Sequence, residues 1–340
     1  MQLAPVLVSV YTRKKHFVDC IESLSRCRMA NQTHLFIASD AAKTEADEEA
    51  VKEIRNYCAE IKGFGKVELI SNEKNLGETE SCHKAITRIF SEYDRFIFTE
   101  DDNVFSPNFL EFINNGLEYY KDNAKVFSIC GYIFPFKIPK KYDRDVFSSI
   151  NAFFWGTGFW RDKYLAVDFY PKKFDHSLIH KRKISYCLIC LMFPIFVRNE
   201  IGGDLLIQYH CMKNDMVNIL PTISLVQNHG CDGSGLNANI NKKVGFQKIC
   251  SEYKIFRFID DINIQPNIER RYIDAVDFPF KNVIERFLLR IPLKIVIMLR
   301  IILNTMQFIK WPSFMRRLLI FIGKKTISKQ LYKRLLDYNK

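Results

Sequence analysis

The sequence predicts an α/β fold built on a mostly parallel sheet. Three observations predict it. Short apolar runs alternate with longer amphipathic stretches over the first 125 residues. The runs are rich in β-branched and aromatic residues. Two of them end abruptly in carboxylates, at Asp40 and at Glu100-Asp101-Asp102. In parallel α/β sheets ligands bind beyond the carboxyl ends of the strands, so both acidic positions are placed to meet one.

Val6–Tyr11 reads as a first buried strand, followed by a loop at Thr12–Lys15 and a helix over Val18–Arg26. Leu35–Ser39 is a second strand, and Glu45–Ile61 an acidic, alanine-rich helix. Lys66–Ile70 and Thr79–Ser91 repeat the strand–helix pair. Arg95–Thr99 runs as a fourth strand into the acidic triplet. Ser106-Pro107 offers a capping hydroxyl and then proline at a first helical position, so a helix is predicted from Pro107 to Tyr120. Val126–Cys130 is a strand, followed by a Pro/Lys-rich loop to Arg144 and an aromatic block at Asn151–Trp160. Residues 171–200 are basic and then apolar. Asp204–Lys213 reads as a helix and Leu220–Gln227 as a short strand.

The net charge of +12 is unevenly placed. Residues 281–340 hold 14 Lys/Arg against 2 Asp/Glu, and the remaining chain balances 36 basic with 36 acidic groups. A neutral body argues against a nucleic-acid partner, and a basic appendage argues for an anionic surface. The ten cysteines show no framework spacing, so they are read as reduced and cytosolic. The one C-x-x-C, Cys187 to Cys190, lies in an apolar run and suits core packing better than a metal. Leu3–Tyr11 precedes its charges, the wrong order for a secretory signal. No run reaches the ~18 apolar residues of a transmembrane helix. There is no P-loop and no G-x-G-x-x-G.

Glu100-Asp101-Asp102 carries the strongest chemistry. Three adjacent carboxylates repel unless a cation or solvent relieves them. Hard cations such as Mg²⁺ or Mn²⁺ take carboxylates together with substrate phosphates. A solvated acidic loop before a helix is the plainer alternative.

Residues 95–110, RFIFTEDDNVFSPNFL, resemble the GT-A glycosyltransferase segment in which a hydrophobic strand meets an Asp-x-Asp-like motif. The nearest resemblance is to the N-acetylglucosaminyltransferase I type, with its Glu-Asp-Asp. It extends over roughly residues 5–120 through Val6–Leu24 and Cys82-His83-Lys84-Ala85-Ile86. The resemblance implies that Asp102 ligates Mn²⁺ or Mg²⁺, with Glu100 supporting the metal site from behind. It implies that Asp101 contacts the ribose, and that Arg13, Asp40 and His83 contact the nucleotide. Asn75 and Gly77, in Asn75-Leu76-Gly77, fall where such enzymes bring a loop to the nucleotide; alone the pair reads as a turn.

Trp155-Gly156-Thr157-Gly158-Phe159-Trp160 combines rigid rings with glycines that let backbone approach a ligand. Either a sugar platform or a tight core corner would use it. It resembles the WGTGFW stretch of bacterial family-two-like transferases that build surface polysaccharides, which implies that Trp155 and Gly156 help form the donor-sugar pocket. Asp204, after Gly202-Gly203, is the candidate catalytic base, since an inverting transfer needs a carboxylate at the acceptor hydroxyl; an ordinary helix cap would also place an Asp there. The insert at 171–200 departs from the family's closer spacing. Residues 228–235, NHGCDGSG, resemble the N-x-G-x-DGSG loop of the same transferases, with His229 and Ser234 on the phosphate side. Backbone N–H groups of such a loop can close over a diphosphate; a surface turn is the alternative.

Residues 287–303, FLLRIPLKIVIMLRIIL, are apolar with Arg290, Lys294 and Arg300 between, and Trp311 and further basic residues follow. Such helices lie in a membrane interface with their basic side chains reaching the headgroups. Packing of the tail on the body, or a dimer contact, is the alternative.

The expected organisation is therefore a GT-A catalytic domain over residues 1–280, with nucleotide-binding (1–125) and acceptor-binding (126–280) halves. A membrane-associating helical tail follows over 281–340. The expected partners are a nucleoside-diphosphate sugar, most simply UDP-linked, a glycan or lipid-linked acceptor and the cytoplasmic face of a membrane. A sugar-nucleotide pyrophosphorylase would want a Gly-rich loop where Thr12-Arg13-Lys14-Lys15 stands. A degenerate scaffold would not need the acidic triplet.

Overall fold

A computed structural model describes residues 2–169, 203–232 and 247–276. The insert at 171–200 with Cys187 and Cys190, the glycine loop with Ser234, and the tail at 281–340 lie outside the described residues.

The nucleotide-side half is a succession of parallel strand–helix units. Strand β1 (Val6–Val10) is central, flanked by β2 (His34–Ser39) and β4 (Arg95–Glu100), with β3 (Lys66–Ser71) beyond β2. All three pairings are parallel, with Val6 opposite both Leu35 and Ile97. Helices α1 (Lys14–Ser25), α2 (Glu45–Cys58) and α3 (Glu78–Phe90) make the crossovers. Strand β1 is covered on both faces, which explains its nearly unbroken apolar run. The outermost strand, β3, is charged and partly exposed, as suits an edge.

Helix α1 begins at Lys14, earlier than Val18. The polar Thr12–Lys15 reads as loop, yet Phe17, Cys20, Ile21 and Leu24 repeat at helical spacing and are buried, which pulls the first turn into the helix. Helix α2 starts where Thr44 donates both its N–H and its hydroxyl to Asp47.

Beyond β4 the sheet becomes mixed. Its order is β3-β2-β1-β4-β8-β6-β9-β7. Strand β8 (Thr157–Trp160) lies antiparallel between β4 and β6 (Val126–Cys130). Strand β9 (Val217–Pro221) runs parallel to β6, and β7 (Val146–Ser149) closes the edge antiparallel to β9. Helix α4 (Phe109–Tyr119) packs on β6 and β8. The described elements end with α5 (Arg161–Leu165), α6 (Gly203–Lys213) and α7 (Pro266–Val276).

The expected strand Leu220–Gln227 is in fact two. Strand β9 stops at Pro221, the chain leaves the main sheet, and β10 (Val226–Asn228) pairs antiparallel with β5 (Asn103–Phe105). Periodicity in the sequence cannot separate two short strands that share an apolar run. Helix α4 starts at Phe109 rather than Pro107; Ser106 still caps in part, its hydroxyl accepting the Asn108 N–H at 3.2 Å.

The core is dominated by rings, with Phe96, Phe109, Phe112, Phe127, Phe147 and Phe159 fully buried. Each contributes about 1.5–3 kcal/mol by leaving water. Gly158 lets α4 approach β8, for a Cβ there would sit 2.5 Å from Ile113 Cγ2.

Candidate active site

Strand β4 ends at the acidic triplet, and the backbone sends its members two ways. Asp101 and Asp102 are buried, 3% and 5% exposed, and both meet Arg13 at the start of α1. Arg13 Nη2 donates to Asp101 Oδ1 and lies 2.9 Å from Asp102 Oδ2. The β5–β10 ribbon holds Asp102 from the other side: Asn228 Nδ2 donates to its Oδ1 at 2.8 Å, and the His229 N–H donates to its backbone carbonyl at 2.8 Å. Gly230 then passes directly over the carboxylate, where a Cβ would stand 2.1 Å from Asp102 Oδ2. Burial pushes the Asp101 carboxyl up to about 6, with Arg13 opposing and neighbouring Asp102 adding to the rise.

Glu100 turns instead into a cavity of about 340 Å³, at the lower end of the range for small-molecule sites. Glu78, His83, Phe98, Phe154, Tyr164, Phe169 and Asp204 share its walls. Burial, then the surrounding Asp102, Glu78, Asp204 and Asp101, hold the Glu100 carboxyl well above the ordinary range. Trp155 Nε1 donates to Glu100 Oε2 at 3.2 Å, and its ring stands edge-on to Tyr132. Glu100 thus faces the cavity side, away from Arg13.

Asp204 opens α6 and faces the same cavity. Its Oδ1 accepts the Phe154 N–H at 2.9 Å. Burial raises its carboxyl to about 7; the Phe154 N–H opposes the rise and Glu78 adds to it. A carboxyl so placed is poised to take a proton near neutral pH.

The third group of expected residues gathers at the end of β2. Asp40 is 6% exposed and accepts the N–H groups of Ala41, Leu76 and Gly77 at 2.9, 3.0 and 2.7 Å, and Asn72 Nδ2 at 3.1 Å. Asn75 Nδ2 donates to the Ala41 carbonyl at 2.7 Å. Asp40 therefore shapes the Asn75–Gly77 loop. Gly77 has φ 81°, a left-handed value that favours glycine, and immediately precedes α3. That places the loop next in the chain to Glu78, on the cavity wall.

His83 lies on that wall too, edge-on to Phe169 at 5.8 Å. His229 lies beside Asp102, with Nε2 3.2 Å from Gln227 Oε1, and burial lowers its affinity for a proton. Gly156 has a packing reason for being glycine. It has φ 74°, and the space a Cβ would take is filled by Phe109 and Val226 rather than by the cavity.

Three contributors were not legible in the sequence. Glu78 lies within electrostatic reach of Arg13, Asp102, Glu100 and Asp204. Asn228 positions Asp102. Arg55 ties the carbonyls of Ser39, Asp40 and Asn72 together. Each acts through contacts between separate elements that only the fold brings together, so spacing gives no signal for them.

The donors at the acid pair are hard oxygens, two carboxylates already drawn to a cationic group. Among the described residues no cluster of three or more His, Cys, Asp or Glu is arranged for a metal. Two carboxylates completed by substrate phosphates is how Mg²⁺-type ions are commonly held, so the set fits a divalent ion that arrives with a diphosphate.

A parallel nucleotide-side half ending in a buried acid pair is joined through a mixed sheet to a cavity with its own carboxylates. A family model described as glycosyl transferase family 2 matches residues 6–180, slightly more than half of the chain, and the chain belongs to that family. Several solved structures are similar. A mannosyltransferase from Pyrobaculum calidifontis, in complex with GDP-Man and Mn²⁺, is 11% identical over 48% of this chain and 46% of its own, with a TM-score of 0.34. S. aureus TarS, residues 1–349, is 10% identical over 49% and 50%, with a TM-score of 0.35. GalNAc-T7 with UDP, GalNAc and Mn²⁺ is 11% identical over 64% and 42%, with a TM-score of 0.40. The chain thus spans half or less of these proteins' lengths. No curated protein matches it.

Proposed function

We propose that this chain transfers a sugar, with inversion, from a nucleoside diphosphate to a hydroxyl of a glycan acceptor. The observation that carries the reading is the juxtaposition at the end of β4: an acid pair suited to a cation on one side, and on the other a cavity holding a carboxyl poised near neutrality. Asp204 takes the proton of the acceptor hydroxyl. The hydroxyl oxygen forms its bond to the anomeric carbon as the bond from that carbon to the diphosphate breaks, and the electron pair leaves with the diphosphate. Mn²⁺ or Mg²⁺ held by Asp101 and Asp102 would neutralise charge on that diphosphate. Arg13, His229 and the glycine loop that includes Ser234 serve the phosphate side, and the Asp40–Gly77 loop the nucleoside, most simply uridine. Trp155 and the phenylalanine rings wall the sugar.

Among the described residues the cavity is lined by Glu78, Glu100 and Asp204 and by no lysine or arginine, which suits a neutral hexose or N-acetylhexosamine. The basic tail at 281–340 supports work at the cytoplasmic face of a membrane, on a lipid-linked acceptor of surface-polysaccharide synthesis. The test is transfer from a panel of UDP- and GDP-sugars with and without Mn²⁺. Metal-dependent transfer by the native chain and its loss in Asp102→Ala are expected. Unchanged transfer in Asp102→Ala would remove the acid pair from the mechanism.

A further inference from the structure

Asp101 and Asp102 already hold a cation, and it belongs to the protein. Arg13 Nη2 reaches both carboxylates, at 2.9 Å from Asp102 Oδ2. The other terminal nitrogen, Nη1, is buried and has no hydrogen-bond acceptor among the described residues. A buried donor left without an acceptor is costly, and this one lies under Gly230, whose added Cβ would stand 3.3 Å from it. The guanidinium is therefore fully committed on its carboxylate side and unsatisfied on the other.

We propose that Arg13 is an internal counter-ion, which holds the place of the divalent ion on Asp101 and Asp102 until a pyrophosphate draws its guanidinium away. The inference rests on the reading of the acid pair as an ion site. Its consequence is a coupling. A divalent ion alone must displace Arg13 and binds weakly. A diphosphate alone satisfies Nη1 but leaves two adjacent buried carboxylates uncovered. The two together satisfy every charge, so each strengthens the other's binding by the same factor. Removing the arginine's charge inverts the pattern, because the exposed acid pair then attracts the ion without help. The charge-assisted bonds displaced correspond to about a ten- to hundredfold change in ion affinity.

The experiment is Mn²⁺ binding to the full-length chain, read by the electron paramagnetic resonance of free Mn²⁺, first without nucleotide and then with UDP. The native chain should bind Mn²⁺ weakly alone, and UDP should tighten it at least tenfold. Arg13→Gln should bind Mn²⁺ alone about ten- to hundredfold more tightly than the native chain, with little further gain from UDP. Arg13→Lys, which keeps the charge, should stay close to the native chain without nucleotide. Equal Mn²⁺ affinity in the native chain and Arg13→Gln overturns the proposal. If Arg13→Gln does not fold, the native chain decides: Mn²⁺ affinity unchanged by UDP also overturns it. Failure of the ion-site reading itself looks different, as no Mn²⁺ bound by any form with UDP present.

Discussion

Asp204 and Glu100 are both carboxylic acids on one cavity, yet their surroundings set them apart. Glu100 is packed among four other acids, and burial together with those acids holds its carboxyl well above the ordinary range, whereas the backbone N–H on one oxygen of Asp204 opposes the effect of burial and leaves it at about 7. That difference supports the proposed proton-accepting role of Asp204. Asp204→Asn should lower turnover about 10²–10⁴-fold while leaving UDP-sugar binding in place, as measured by steady-state kinetics and calorimetry. In the native chain kcat/KM should fall tenfold per pH unit below about 7, since only the ionised form accepts a proton. Stability should move the other way. A carboxyl whose folded value lies above its unfolded one stabilises the fold at low pH, and that contribution is lost as pH rises through about 7. The melting temperature of Asp204→Asn should therefore gain on the native chain between pH 4 and pH 8.

At the scale of elements, the site is made where strand ends and helix starts converge. Strand β4 delivers the acid triplet, α1 delivers Arg13, α3 delivers Glu78, and α6 delivers Asp204. The β5–β10 ribbon clamps Asp102 through Asn228 and the His229 N–H. The β4–β8–β6 seam under α4 joins the two halves of the sheet beside this convergence. Gly158→Ala tests the seam, because the new Cβ would lie 2.5 Å from Ile113 Cγ2 and 3.0 Å from Leu117 Cδ1. Overpacking of this kind costs about 1–3 kcal/mol. A lowered melting temperature, with UDP affinity reduced far less than in any acid-pair variant, is the expected result; an unchanged melt would show that α4 yields freely.

At the scale of the whole molecule, charge divides the chain. Its first 280 residues are balanced and the last 60 carry the entire excess. The full chain should sediment with vesicles rich in anionic lipid, ignore purely zwitterionic ones, and release as ionic strength rises; equal binding to both vesicle types would leave the charge without a part in it. The strand–helix succession up to β4 and the acidic triplet were legible in the sequence, because periodicity and strand-end carboxylates are local signals. The short strands β5, β7 and β10 were not, being too brief to show a period. Nor were the partners of Asp40, which shape its own loop, or the packing duty of Gly156. Thus the sequence alone determined which chemical groups the chain owns and the alternating pattern that lays down the parallel half. Only the tertiary structure decided that Asp101 and Asp102 face Arg13 while Glu100 faces Asp204, because burial and charge proximity depend on what other segments bring to the same place.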